Sequence, residues 1–175
     1  MLPRVVRLLS VEVDPIVVVS ARDQELPPLP AEVRLIHDEQ EGRGPLQGLA
    51  AGLAALDEQM DAAFVSSCDV PFLRPPFVRR MIDLLESDQV CVPRIDGRPH
   101  PLAAVYRVDV LDEVRRLLVE NRLRLMDLYE RVPTHFVDAG ELRDVDPMLE
   151  SLANVNTPEE YERVLRTIEN RSSSN

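Results

Sequence analysis

The sequence predicts a three-layer α/β domain with a mostly parallel sheet. Three observations carry this. Short, continuously apolar runs suit strands covered on both faces. Helical segments alternate with those runs, and the connections between them are brief. A chain of 175 residues suits one domain able to bury most of its unfolded surface. That domain is expected to fill residues 1–170, with 171–175 a polar, frayed tail.

In chain order, Arg4–Val13 mixes apolar and basic residues and suits the end of an amphipathic helix. Pro15–Val19 is a buried strand, Glu25–Pro30 a proline-rich connection too short to be a linker, and Val33–His37 a second strand ending at Asp38. Glu41–Gln47 is expected as a loop and Gly48–Leu56 as a helix of small residues. Ala62–Ser67 is a strand, closed by Cys68-Asp69-Val70-Pro71-Phe72. Pro75 and Pro76 suit the first turn of a helix reaching about Glu86. Val90–Pro93 and Leu102–Tyr106 are strands separated by Asp96-Gly97, a strong turn signal. Asp109–Glu120 and Leu125–Arg131 are helical and Thr134–Val137 is a strand. Thr157-Pro158-Glu159-Glu160 opens the last helix, with an N-cap, a proline at its first position and a capping-box glutamate.

Composition narrows the function. A net charge of −11, from 31 acidic against 20 basic residues, argues against nucleic-acid binding, which needs a basic footprint. No apolar run approaches the roughly 20 residues that span a bilayer, and residues 1–10 are too short for a signal peptide. A cytoplasmic location is expected. Cys68 and Cys91 are the only cysteines and form no metal motif. Every basic residue is an arginine and lysine is absent, so a lysine phosphate clamp of the Walker type is excluded from these residues. A bound polyphosphate must be held by backbone amides, arginines and a metal ion.

In such folds ligands bind at the carboxyl ends of strands, which selects Ser20, Asp38 and Asp69. Asp69 has two readings: a cap for the turn before Pro71, or a crevice carboxylate on a divalent ion such as Mg²⁺, which takes one or two carboxylates plus phosphates. Asp38 is a second carboxylate or a turn residue. Gly42–Gly48 combines glycines, which let backbone approach a ligand, with a helix N-terminus favouring anions; Gly48 and Gly52 also permit close helix–sheet packing. His100 lies between Pro99 and Pro101, and Asn154 and Asn156 precede the capped helix, where asparagines commonly bond backbone. No serine–histidine or cysteine–histidine arrangement stands out.

Taken in order, Gly44-Pro45-Leu46-Gln47-Gly48, Cys68-Asp69-Val70-Pro71-Phe72, His100-Pro101-Leu102 and Asn154-Val155-Asn156-Thr157-Pro158-Glu159-Glu160 resemble molybdenum cofactor guanylyltransferases. The resemblance runs from Arg4 to about Leu165. It implies a Rossmann-like nucleotidyltransferase domain that transfers GMP from GTP to the terminal phosphate of molybdopterin and releases pyrophosphate. By resemblance Asp69 is the catalytic Mg²⁺ ligand, with Asp38 a carboxylate near metal and nucleotide. Gly44, Pro45, Leu46 and Gly48 face the guanine and ribose. Ser20 stands where the family often has asparagine at the nucleotide. His100, Pro101, Asn154 and Asn156 fall on the molybdopterin side, and cofactor-delivery proteins are implied partners.

The family also begins with a buried strand and a glycine-rich loop bearing arginine and lysine. Met1 aligns in the helix after that loop, so the first strand and loop are expected upstream, where in-frame translation would find them. Three rivals remain: the cytidylyltransferase of the same pathway, an inactive molybdopterin-binding remnant, and a Rossmann-like domain of unrelated function. The Asn-Val-Asn-Thr-Pro-Glu-Glu ending favours the guanylyl enzyme, since the cytidylyl relatives tend to carry aspartates there.

Overall fold

The computed structural model describes residues 1–38, 42–56, 60–155, 157, 159–164 and 166. Helix α1 (Leu2–Leu9) is followed by strands β1 (Val17–Ala21) and β2 (Arg34–Asp38), helix α2 (Gly44–Ala54) and strand β3 (Ala62–Ser66). Helix α3 (Pro75–Asp83), strands β4 (Val90–Ile95), β5 (Arg98–Pro99) and β6 (Ala103–Arg107), and helices α4 (Leu111–Val119) and α5 (Leu125–Tyr129) come next. Strand β7 (Thr134–Val137), helix α6 (Ala139–Leu142) and a 3-10 turn at Glu150–Leu152 lead to a helical segment over 159–164.

The expected layers form. On β4 and β6 successive side chains alternate between two cores, as the pleat requires. Val90, Val92, Ala104 and Tyr106 pack with α2, α4 and α5. Cys91, Ala103 and Val105 pack with α1, α3 and α6. Burial on both faces explains why these strands read as continuous apolar runs.

The strands divide into two hydrogen-bonded groups rather than one. β1 pairs in parallel with β2. β6 lies between β3 and β4 and runs antiparallel to both, while β7 is parallel to β4. β3, β4 and β7 therefore share a direction and β6 is reversed. The Asp96-Gly97 signal explains the reversal: both residues take positive φ, 49° and 76°, as a two-residue hairpin turn demands. Such a turn returns the chain antiparallel, from Ile95 to Arg98. Helix α2 joins the groups. It supplies Leu46, Leu49, Ala50 and Leu53 to the core beside β4 and β6. A Cβ on its Gly52 would sit 3.5 Å from the Val19 side chain of β1, an ordinary contact, and one on Gly48 would meet nothing within 4 Å, so the close helix–sheet packing expected of these two glycines does not require them.

Several boundaries move. β1 starts at Val17, not Pro15, because proline has no N–H for the ladder. Helix α2 starts at Gly44 rather than Gly48, with Pro45 in its first turn, a position that suits a residue without an amide proton. α3 stops at Asp83 and the chain turns through Glu86 at φ 43°. A 3-10 turn, Val108–Val110, precedes α4. Helix α6 was not anticipated, although Asp138 and Glu141 form its capping box. The capping box read at Thr157 forms as expected: Glu160 N donates to Thr157 Oγ1 and Thr157 N to Glu160 Oε2, both at 3.2 Å. Asn156 and Pro158 lie outside the described residues.

Phe77 is fully buried and meets Phe64 edge-to-face at 6.5 Å. Phe77→Ala is expected to lower unfolding free energy by about 3–5 kcal/mol, read from urea denaturation.

Candidate active site

The carboxyl ends of the parallel strands β3, β4 and β7 lie together, with the amino end of β6 among them. Ser67 N donates to Leu102 O at 3.1 Å and His100 N to Pro93 O at 2.8 Å. The His100–Leu102 turn is thereby tied to the β3 end, which leads to Asp69, and to the β4 end. Tyr106 anchors that turn from below. Its hydroxyl donates to Pro101 O at 2.9 Å and lies 2.9 Å from the Tyr129 hydroxyl. A carbonyl only accepts, so Tyr129 supplies the other proton. Burial raises Tyr106 well above the usual tyrosine range and pushes Tyr129 up to about 12, so both stay protonated donors.

Asp69 follows β3 in a turn, half-buried. Asn154, 85 positions later, donates from Nδ2 to Asp69 Oδ2 at 3.3 Å, and Val155 N donates to Asp69 O at 3.0 Å. The other carboxylate oxygen, Oδ1, is buried without a hydrogen-bond partner. A buried, unpaired carboxylate oxygen is costly and suits a hard divalent cation such as Mg²⁺. Among the described residues no three histidine, cysteine or acidic side chains gather into a cage.

The other expected residues are placed as follows. Ser20 lies inside β1, not after it, and is 4% exposed. Its Oγ is 3.1 Å from Nδ1 of His37, its register partner on β2, so its hydroxyl is engaged within the sheet because the strand runs one residue past it. Asp38 is the last residue of β2. Gly44 has φ 69° with open space where a Cβ would be, so backbone conformation alone selects glycine there. Pro45 is exposed, whereas the Leu46 side chain is fully buried in the core and leaves only its backbone for a ligand. Gly48 also faces open space, unlike Gly52. His100 is half-buried and burial lowers its pKa, so its neutral form dominates at pH 7. Cys68 is exposed beside Asp69, and burial pushes the Cys91 thiol up to about 12.

Sequence reasoning missed Arg94, whose guanidinium lies 4.5 Å over the Phe136 ring at the β4 end. It also missed Asp146, a fully buried acid. The Asp146-Pro147 pair was a cue to a cap or turn, but not to burial.

The family profile of the MobA-like NTP transferase domain matches residues 1–134. The chain belongs to this family. It is 30% identical over 136 residues to a probable molybdenum cofactor guanylyltransferase of Methanosarcina mazei, an alignment covering 77% of this chain and 60% of the relative. A probable molybdenum cofactor guanylyltransferase of Mycobacterium avium is 35% identical over 160 residues, 90% of this chain and 76% of the relative. The chain thus spans about three fifths of the first relative's length. The crystal structure of molybdopterin-guanine dinucleotide biosynthesis protein A from Archaeoglobus fulgidus superposes with TM-score 0.68 and 25% identity, over 79% of this chain and 70% of that one. A 4-diphosphocytidyl-2C-methyl-D-erythritol synthase from Anaerococcus prevotii shares the fold, at TM-score 0.70 and 12% identity, over 96% and 88% of the two chains. No helix of the described residues is long and apolar enough to cross a membrane.

The His100 environment carries a pH signature. Below its ordinary value of 6.5 the unfolded chain takes up a proton that the folded chain resists, so stability falls on acidification. His100→Gln is expected to flatten that part of the profile, read from urea midpoints as pH is lowered from 6.5.

Proposed function

We propose that this protein transfers GMP from GTP to the terminal phosphate of molybdopterin, forming the guanine dinucleotide and releasing pyrophosphate. The observation that carries the reading is the Asp69 carboxylate with its buried, unpaired Oδ1, at a strand end in a chain of the MobA-like family. The reaction needs no protein nucleophile. An oxygen of the acceptor phosphate, already ionised at neutral pH, attacks the α-phosphorus of GTP in line, and the bond to pyrophosphate breaks. Catalysis is then mainly alignment and charge neutralisation.

Asp69 would hold Mg²⁺, with Asp38 the second acidic candidate. The ion supplies neutralisation of charge on the phosphates at the reacting centre. Asn154 keeps one Asp69 oxygen engaged and leaves Oδ1 for the ligand. The first turn of α2, Gly44–Gly48, offers backbone amides and the open side of Gly48 to the nucleotide. His100, uncharged, and the Pro101 turn would face molybdopterin. Cytoplasmic work, with a protein delivering molybdopterin, fits this chemistry.

Pyrophosphate release from GTP, molybdopterin and Mg²⁺ by the full-length protein tests the proposal. Asp69→Ala is expected to lower the rate by about 10²–10³, the scale of losing one preorganised charge-stabilising group. No release with GTP, or faster release with CTP, would overturn guanylyl transfer. Gly48→Ala gives a second test. Its Cβ enters open space, so helix propensity should raise stability by up to about 1 kcal/mol, while the KM for GTP rises several-fold. An unchanged KM would remove Gly48 from the nucleotide surface.

A further inference from the structure

The segments carrying Asp69 and Asn154 meet, and a buried cluster behind them joins the same two stretches of chain. Asp146 is fully buried. Its Oδ1 accepts from Glu150 N at 3.1 Å and its Oδ2 from Ser151 N at 2.8 Å. Both carboxylate oxygens therefore cap the 3-10 turn Glu150–Leu152, which ends just before Asn154. Arg74 Nε lies 3.4 Å from Asp146 Oδ1, and Arg74 Nη2 donates to Glu150 Oε2 at 2.9 Å. The backbone of Arg74 joins in, its N–H donating to Ser151 Oγ at 3.0 Å. Ser151 is itself fully buried.

Arg74 closes the segment that begins at Asp69, and it is the N-cap residue of α3. Its side chain and amide thus tie the end of the Asp69 segment to the turn that launches Asn154. A buried carboxylate is costly unless it is paired and fully hydrogen-bonded. Asp146 meets that condition only when these two segments are docked. The Asn154–Asp69 bond is long, 3.3 Å, and exposed, so alone it is a weak constraint. Its geometry depends on how the 150–155 segment is set.

We infer that Asp146, acting with Arg74 and Ser151, is a positioning residue that sets Asn154 and Val155 against Asp69 and so orients the Asp69 carboxylate toward its ligand. This rests on the reading of Asp69 as the cation-facing group.

Two measurements on Asp146→Ala test it, with Ser151→Ala as the milder variant should the first fold poorly. The Val155 amide, bonded to the Asp69 carbonyl, reports docking by hydrogen exchange. Its protection is expected to fall about tenfold or more, as for loss of a charge-assisted hydrogen bond, while β6 amides keep theirs. An unmoved Val155 amide, or one that loses protection only in step with β6, would overturn the cluster's role. Mn²⁺ binding, followed by electron paramagnetic resonance, reads the carboxylate itself. Asp146→Ala is expected to weaken it in the natural background and to weaken it by less in Asn154→Ala, where only the Val155 tie is left to lose; strictly additive effects would overturn the inference. Mn²⁺ binding untouched by Asp69→Ala would overturn the cation reading alone, because the Val155 amide answers independently.

Discussion

Strand β6 is the constraint on which the site depends. It hydrogen-bonds to β3 on one side and β4 on the other, so it sets how far each carries its carboxyl end toward the crevice. The turn feeding β6 holds His100 and Pro101, and Tyr106 within the strand holds that turn by its hydroxyl. Tyr106 is fully buried between helices and sheet. One residue thus couples core packing to the shape of the crevice rim. Its partner Tyr129 meets Phe136 of β7 edge-to-face at 5.8 Å, which carries the same packing to the strand next to β4.

The Asp69 loop is restrained from several directions at once. Arg4 of α1 donates to Pro71 O at 2.7 Å, Val155 N reaches Asp69 O, and Arg74 ties the loop's end to Ser151. Preorganisation of this kind keeps a carboxylate fixed before its ligand arrives. The lysine-free composition shows in how these ties are made. Arginines bond carbonyls at Pro71, Asp88 and Leu118 as well as carboxylates, a use that the planar, multi-donor guanidinium suits better than an ammonium. Around α4 and α5, Arg131 bridges Glu113 and Glu120 while Arg122 meets Asp127. The exposed Arg131 pairs contribute little each, but with the part-buried Arg122–Asp127 pair they spread the acidic charge of the helices over paired groups.

Much of the architecture was legible residue by residue. Strands buried on both faces show as apolar runs, as β4 and β6 do; β1, β3 and β7 are only part-buried and β2 is mostly exposed, yet these too fall within a few residues of their expected places. Asp96-Gly97 and Thr157 with Glu160 announced a turn and a cap, because their chemistry is satisfied within four residues. The boundaries that moved did so for local reasons, such as Pro15 having no amide for the ladder. Helix α6 is only four residues long, too short to show a period.

By itself the sequence determined the layered α/β order, the strand-end position of Asp69 and the likeness to a nucleotidyltransferase family, all properties of local pattern and motif order. The tertiary structure alone decided that Asn154 bonds Asp69, that Ser20 is spent inside the sheet on His37, that Leu46 belongs to the core, and that Asp146 is buried against Arg74. Each of these depends on which side of an element faces which neighbour, across separations of up to 85 positions. Periodicity says that a face is buried; only packing says against what.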